Sequence, residues 1–351
     1  MAVDPPAAER FPQARRMDRS VHLALAAASQ AHQSADLVLV DPDRIALLVG
    51  NSRGPVGKWA EASPARVLPS RAANTAIASL SGALSMSLVI RGPVMTLSAT
   101  CASAAHAIAL GAGLLLTGEA DVVLAGGAEA PLVGTMLDQF HAAGLVATHP
   151  DPRQACRPFD RQRNGILPGE GAAFLVIETA AHAGRRGKTP LAMLSGWAMG
   201  AEAHNRVATR ADGAGLTRVI RQTLHRAAID PSQVGYINAH GTGTTLNDAA
   251  EAAAIEAVFG PADAGPLVSS TKPITGHTFG AAPAIESVVA IEALRRRLAP
   301  PNWNCSDPDP AFSLNLVGET PRPIGLPYVL SLSLGFWGNA AALLFRAPTP
   351  F

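Results

Sequence analysis

The stretch VMTLSATCASAAHAIALGAGLLL, from Val94 to Leu116, constrains this chain more than any other. Its apolar opening, residues 94–97, has the length of a short buried strand, and residues 103–116 form a proline-free run of small and apolar residues that reads as a helix. Cys101 falls in the turn between them. A thiol in that place meets unpaired backbone N–H groups and the positive end of the helix dipole, and both favour the thiolate. Position alone leaves a second reading open, in which Cys101 is a small core residue.

A chain of 351 residues, 48% of them hydrophobic, can bury a large core and has room for two domains or one doubled fold. Its 28 Lys and Arg against 27 Asp and Glu give no electrostatic footprint for nucleic acid or an anionic membrane, so neither is expected as a partner. No uninterrupted apolar run reaches the roughly 18 residues of a membrane span. The start MAVDPPAAER carries an acidic residue and prolines where a signal peptide would be basic and then apolar, so a cytoplasmic location is expected. The three cysteines, Cys101, Cys156 and Cys305, are widely spaced and form no C-x-x-C pair, which suggests neither a disulfide framework nor a metal site.

Taken in order, Asp18 is placed to cap a helix running to about residue 31, with Val21, Ala24, Leu25 and Ala28 inward. Residues 44–49 read as a strand, 51–70 as a surface excursion, 72–88 as a helix, and 121–124 as a strand followed by a tight AGGAEA turn. Residues 172–177 form a further strand, and the basic, glycine-containing segment near residue 185 marks a boundary. Beyond it the rhythm repeats: strands at 191–197, 236–239 and 267–270, helices at 216–227, 249–259 and 281–298, and a closing strand pair at 329–334 and 340–345. Ile285, Val288, Val289 and Ile291 are expected to face inward on the long helix. Strands alternating with helices predict a layered α/β protein of two related halves, 1–185 with the cysteine and 186–351 with the histidines.

Three stretches resist explanation as scaffold. NAHGTGTTLNDAAE delivers His240 from a strand end into a Gly and Thr loop; SSTKPITGHTFGAA gives Lys272 and, five residues on, His277; SLSLGFWGNAA sets Gly335, Phe336 and Trp337 between two strands. In α/β proteins, loops just past strand ends are where sites assemble.

At these residues the sequence resembles the β-ketoacyl-acyl carrier protein synthases, the condensing enzymes of fatty acid and polyketide assembly. The matches are TCAS at Thr100–Ser103, AGGAEA at Ala125–Ala130, RPFDRQRNGILPGEGAA at Arg157–Ala173, HGTGT at His240–Thr244, STKPITGH at Ser270–His277 and GFWGNA at Gly335–Ala340. The resemblance implies a thiolase-like five-layer αβαβα fold, normally dimeric. It assigns the nucleophile to Cys101, the paired imidazoles to His240 and His277, a supporting role to Lys272 with Glu286 as its partner, and a gating loop around Phe336. No cofactor is implied beyond the phosphopantetheine that the acyl carrier protein brings.

Such chemistry needs a thiolate to accept the acyl group and two backbone N–H groups, here of Cys101 and Phe336, for the oxyanion. Two neutral imidazoles then steady the enolate left when a malonyl-type unit loses carbon dioxide, and the Lys272 ammonium is expected to keep His277 uncharged. Thr242 and Thr244 stand where pantetheine amides would bind, or simply cap their own loop. The Cys-His-His set points to decarboxylative elongation. Three departures from the family pattern stand out: the usual first strand of the N-terminal half is expected to be lacking, Asn164 replaces an aspartate, and Trp337 replaces a loop glycine, which predicts a stiffer gate or a narrower pocket. The alternative is therefore a chain-length-factor-like subunit that pairs with a separate catalytic ketosynthase and shapes its acyl tunnel. Carrier protein and either a homodimer or a heterodimer with another ketosynthase-like subunit are the expected partners.

Overall fold

A computed structural model describes residues 14, 16–61, 69 and 71–348. The chain divides into two compact units, one within Met1–Leu137 plus Glu170–Thr189 and Thr278–Ile285, the other formed by Asp138–Gly169, Pro190–His277 and Glu286–Phe351.

The first unit is built on β1 (Ile45–Gly50), β2 (Val94–Leu97), β3 (Val122–Glu129) and β4 (Gly171–Glu178), in the order β2-β1-β3-β4. The first three run parallel and β4 pairs antiparallel with β3. Every residue of β1 and β3 is buried, which explains their continuous rather than alternating apolar pattern. Helix Arg19–Ser34 starts where expected, since the Asp18 side chain accepts the Ser20 N–H, and it buries Val21, Ala24, Leu25 and Ala28. Helix Ser103–Leu116 follows β2 as predicted.

Two expectations need correction here. AGGAEA is no turn: β3 continues through it to Glu129. The glycines serve close approach, since a Cβ on Gly126 would lie 2.1 Å from the Ala173 carbonyl oxygen and one on Gly127 2.9 Å from the Ala104 Cβ. The helix expected over 72–88 is broken into Arg71–Asn74 and Ser79–Leu88. Of the expected excursion at 51–70, Val56–Ala60 is a short helix, while residues 62–68 and 70 lie outside the described residues.

The second unit holds β5 (Met193–Ala201), β6 (Val234–Asn238), β7 (Leu267–Ser269), β8 (Leu298–Ala299), β9 (Asn315–Leu316), β10 (Arg322–Pro323), β11 (Tyr328–Leu334) and β12 (Asn339–Arg346). Six of these form one sheet in the order β5-β12-β11-β6-β7-β9, and β8 pairs with β10. β11 and β12 are the expected antiparallel pair, with Leu334 opposite Ala340. Helix Ala214–Ala227 buries Leu216, Val219, Ile220 and Leu224, and helix Thr245–Phe259 follows β6. On helix Ala282–Arg296, Ile291 is buried as expected and Ile285 and Val289 are half-buried, but Val288 is 39% exposed, and Glu286, Ser287, Ala290 and Leu294 complete the buried side.

The two roles of glycine are separable by measurement. Gly126→Ala is expected to lose about 3 kcal/mol of stability, because the added methyl meets backbone that cannot rotate away. Gly113 lies inside helix Ser103–Leu116 with nothing within 4 Å of a built Cβ, so Gly113→Ala should gain roughly 0.5–1 kcal/mol. Urea unfolding midpoints check both; a neutral Gly126→Ala would refute the close-packing account.

Candidate active site

Cys101 lies between the end of β2 and the start of helix Ser103–Leu116, with Ala102 in the cap position. Thr100, just before it, takes a left-handed φ of 52°, a conformation that costs a non-glycine residue about 1 kcal/mol. The turn is held by the Ser103 hydroxyl, which accepts the Ala99 N–H at 2.9 Å and donates to the Thr100 carbonyl at 2.6 Å. A Cβ on Gly50, the last residue of β1, would stand 2.3 Å from the Ala104 nitrogen, so the helix N-terminus rests on the strand end. Cys101 as a residue is 8% exposed, and it sits just before the first turn of the helix.

β6 delivers His240 into a loop whose backbone donors are taken up by two buried carboxylates from the next helix. Glu251 accepts the His240 N–H at 2.6 Å and the Gly241 N–H at 2.7 Å. Asp248, one turn earlier, accepts the Thr242 and Gly243 N–H groups at 3.1 and 3.2 Å with one oxygen and the Phe159 N–H at 2.9 Å with the other. Four successive loop N–H groups thus end on two side chains spaced i, i+3 on helix Thr245–Phe259. Burial pushes the Glu251 carboxyl up to about 8, against the lowering effect of its N–H partners, and raises Asp248 as well. Neither residue was assigned from sequence, although the spacing Asp248-x-x-Glu251 behind a glycine loop was legible.

Lys272 is fully buried at the start of the short helix Lys272–Thr275. Its ammonium donates to Glu286 and to the His240 carbonyl, and stands 3.3 Å from His240 Nδ1. An ammonium has no lone pair, so Nδ1 must accept and the ring proton of neutral His240 sits on Nε2. Burial, then the Lys272 charge, then His277 hold the His240 imidazole well below its ordinary range. The Lys272 charge thus disfavours the imidazolium form of His240. The Glu286 carboxyl is raised by burial and lowered by Lys272, and the pair is almost wholly shielded, with side-chain exposures of 0% and 2%.

The rings of His240 and His277 meet edge to face, centroids 5.4 Å apart at 84°. His277 is fixed through its backbone: its N–H donates to the Leu167 carbonyl at 2.6 Å and its carbonyl accepts the Gly169 N–H at 2.9 Å. The Ser270 hydroxyl ties the two histidine loops together by donating to the Gly241 carbonyl at 2.7 Å.

Thr242 and Thr244 share a hydroxyl–hydroxyl hydrogen bond of 2.9 Å, a loop-capping contact. Gly335, Phe336 and Trp337 turn the chain from β11 to β12, where the Gly335 N–H donates to the Asn339 carbonyl at 2.8 Å. Trp337 has a left-handed φ of 63° and a ring left 66% exposed, and its N–H donates to the Arg206 carbonyl at 2.8 Å. His240, His277, Lys272, Glu286, Thr242, Thr244, Gly335, Phe336 and Trp337 all belong to the second compact unit; Cys101 belongs to the first. The thiols of Cys156 and Cys305 are each pushed up to about 12, mainly by burial, which keeps them protonated and poorly nucleophilic. Among the described residues, no cluster of three His, Cys, Asp or Glu side chains could hold a metal ion.

The chain belongs to the β-ketoacyl synthase family: residues 2–183 match the family's N-terminal domain and residues 191–306 its C-terminal domain. It is 32% identical over 344 residues to the 3-oxoacyl-[acyl-carrier-protein] synthase 2 of Vibrio harveyi, covering 95% of this chain and 83% of that protein. Among solved structures, a type II polyketide acyl carrier protein in complex with its hexaketide-bound ketosynthase superimposes with a TM-score of 0.90 at 29% identity, covering 94% of this chain and 85% of the other. A ketosynthase in complex with its chain length factor from Xenorhabdus doucetiae gives a TM-score of 0.81 at 30% identity, covering 94% and 82%. The fold is that thiolase-like α/β architecture.

The raised Glu251 carboxyl makes a prediction about stability. Because the folded chain binds this proton more tightly than the unfolded one, the contribution is complete below about pH 4.5 and is lost as the pH rises through about 8. Glu251→Gln removes that dependence. Its melting temperature relative to the wild type should therefore rise steadily between about pH 5 and about pH 8. A constant difference across that range would show that Glu251 does not change its proton affinity on folding.

Proposed function

We propose that this protein is an acyltransferase of the ketosynthase type that lengthens an acyl chain on acyl carrier protein by decarboxylative Claisen condensation with a malonyl-type unit. The observation that carries the reading is the state of His240: buried, neutral, its Nδ1 occupied by Lys272, and its ring packed edge to face with that of His277.

Catalysis begins when the Cys101 thiolate attacks the acyl thioester on the phosphopantetheine arm of the carrier. The backbone N–H groups of Cys101 and Phe336 receive the developing oxyanion, and the carrier thiol leaves. A malonyl thioester then loses carbon dioxide, and Nε2–H of His240 together with a ring N–H of His277 supports the enolate oxygen. The enolate carbon attacks the acyl-Cys101 carbonyl, which restores the thiolate and leaves a 3-ketoacyl group on the carrier. Lys272 and Glu286 hold the tautomer, and Gly335, Phe336 and Trp337 govern entry. Thr242 and Thr244 would release their mutual hydrogen bond to meet the pantetheine amides. The polypeptide needs no resident cofactor and no metal for these steps.

The reading places the nucleophile in a half spanning residues 1–185 and the histidines in a related half, 186–351, in a cytoplasmic enzyme that works as a homodimer or beside another ketosynthase-like subunit. Among the described residues, no helix is long and apolar enough to cross a membrane. The strained, latched Trp337 loop favours a second reading, a chain-length-factor-like partner.

Intact-mass measurement separates the two. The purified chain, alone and with any ketosynthase encoded beside it, is incubated with acyl and malonyl carrier proteins. A mass increase abolished in Cys101→Ala, with a 3-ketoacyl carrier product, is the expected result. No loading in any pairing, with elongation by the partner surviving Cys101→Ala, would instead establish the partner role.

A further inference from the structure

Behind the His240 loop, the second unit contains a stack of side chains that the chemistry above does not use. Arg163 has a side chain only 6% exposed and donates to the Asp309 carboxylate at 2.7 Å and to the Asp160 carbonyl at 2.9 Å. Its guanidinium lies over an aromatic ring, with Cζ 4.7 Å from the Phe312 centroid. Phe312 meets Phe159 edge to face, centroids 6.4 Å apart at 89°. Phe159 is fully buried at a left-handed φ of 65°, a strained conformation for a large residue. Its ring abuts Gly241, where an added Cβ would stand 3.1 Å from Phe159 Cε2. The same Phe159 gives its N–H to Asp248, the carboxylate that gathers the Thr242 and Gly243 amides.

We propose that Arg163 and Phe312 are positioning residues for condensation, pressing Phe159 onto Gly241 and thereby holding His240 in register. The column reaches the loop by two routes. One is steric, through Arg163, Phe312, Phe159 and Gly241. The other is through backbone and carboxylate: the Asp309 N–H donates to the Phe159 carbonyl at 3.0 Å, and the Phe159 N–H then reaches Asp248. A guanidinium held over an aromatic face by a buried ion pair restrains that ring, and through it the strained phenylalanine it packs against. The strain at Phe159 marks where the column transmits: a relaxed φ would carry its ring away from Gly241.

The inference rests on the elongation reading for its kinetic consequence, but not for its structural one, and the test uses both. Phe312→Leu keeps an apolar side chain and removes the ring face. Arg163→Lys keeps the charge opposite Asp309 and removes the planar stack. In either variant the rate of Cys101 acylation, followed by intact mass, should stay within about twofold of wild type, while kcat for condensation with malonyl carrier falls about tenfold at an unchanged KM. Amide hydrogen exchange across residues 239–244 should quicken about fivefold while residues 94–116 keep the wild-type pattern. A general packing defect would slow both half-reactions together and loosen both segments, and that result overturns the proposal. So does an unaltered exchange pattern across 239–244. If the wild type makes no ketoacyl product, the elongation reading fails and exchange alone decides whether the column positions the loop. Should Phe312→Leu not fold, Arg163→Lys decides by the same measurements.

Discussion

A charged ammonium with no access to water stands at the centre of the second unit, and its three hydrogens set the conditions for what surrounds it. Lys272 spends them on Glu286, on the His240 carbonyl and toward His240 Nδ1. Without an opposing carboxylate, the desolvation of such a charge would cost several kcal/mol, so Glu286 must turn inward. Glu286 accordingly lies on the buried side of helix Ala282–Arg296, where Val288 is 39% exposed. The ammonium also decides the chemistry, because an acceptor role for Nδ1 leaves the proton on Nε2. A buried ion pair of this kind adds little net stability; what it provides is one protonation state and one tautomer.

Rigidity of the histidine loops comes from accepting every donor the backbone offers. The amides of residues 240–243 all end on Glu251 or Asp248. His277 is clamped between the Leu167 carbonyl and the Gly169 N–H. Hydrogen-bond donors placed in advance lose no energy to reorganisation when charge develops, which is the condition for strong oxyanion or enolate stabilisation. The left-handed residues Thr100 and Phe159, at φ 52° and 65°, are both held by hydrogen bonds, Thr100 beside Cys101 by the Ser103 hydroxyl and Phe159 behind His240 by Asp248 and Asp309. Trp337, at φ 63° with an exposed ring, departs from that pattern, since a single backbone hydrogen bond to Arg206 holds it.

Sheets supply the precision. β2, β6, β7 and β11 end at Leu97, Asn238, Ser269 and Leu334, two to four residues before Cys101, His240, Lys272 and Phe336 respectively. β6 and β7 are fully buried and pair in parallel, so they cannot slip register without exposing apolar residues, and the residues just beyond their ends are placed firmly. Glycines at the packing points extend that placement, as at Gly50 against the Ala104 nitrogen and Gly126 against the Ala173 carbonyl.

The amino-acid sequence by itself determined the elements whose periods are unambiguous. Residues 103–116 could only be a buried helix, the Asp18 cap started the first helix, and the HGTGT and STKPITGH loops declared their polarity after apolar strands. Local chemistry governs such features, and local chemistry is written in the chain. The AGGAEA segment misled because glycine serves turns and close packing alike, and only a neighbouring strand reveals which is at work. Likewise the burial of Glu286 on helix Ala282–Arg296 answers to a lysine fourteen residues earlier, a partner that no helical period can announce. The tertiary structure alone decided that Lys272 acts on His240, that Asp248 and Glu251 collect the loop amides, and that Arg163 stacks on Phe312. Each is a through-space pairing of charge or ring, and distance in space has no fixed relation to distance along a chain.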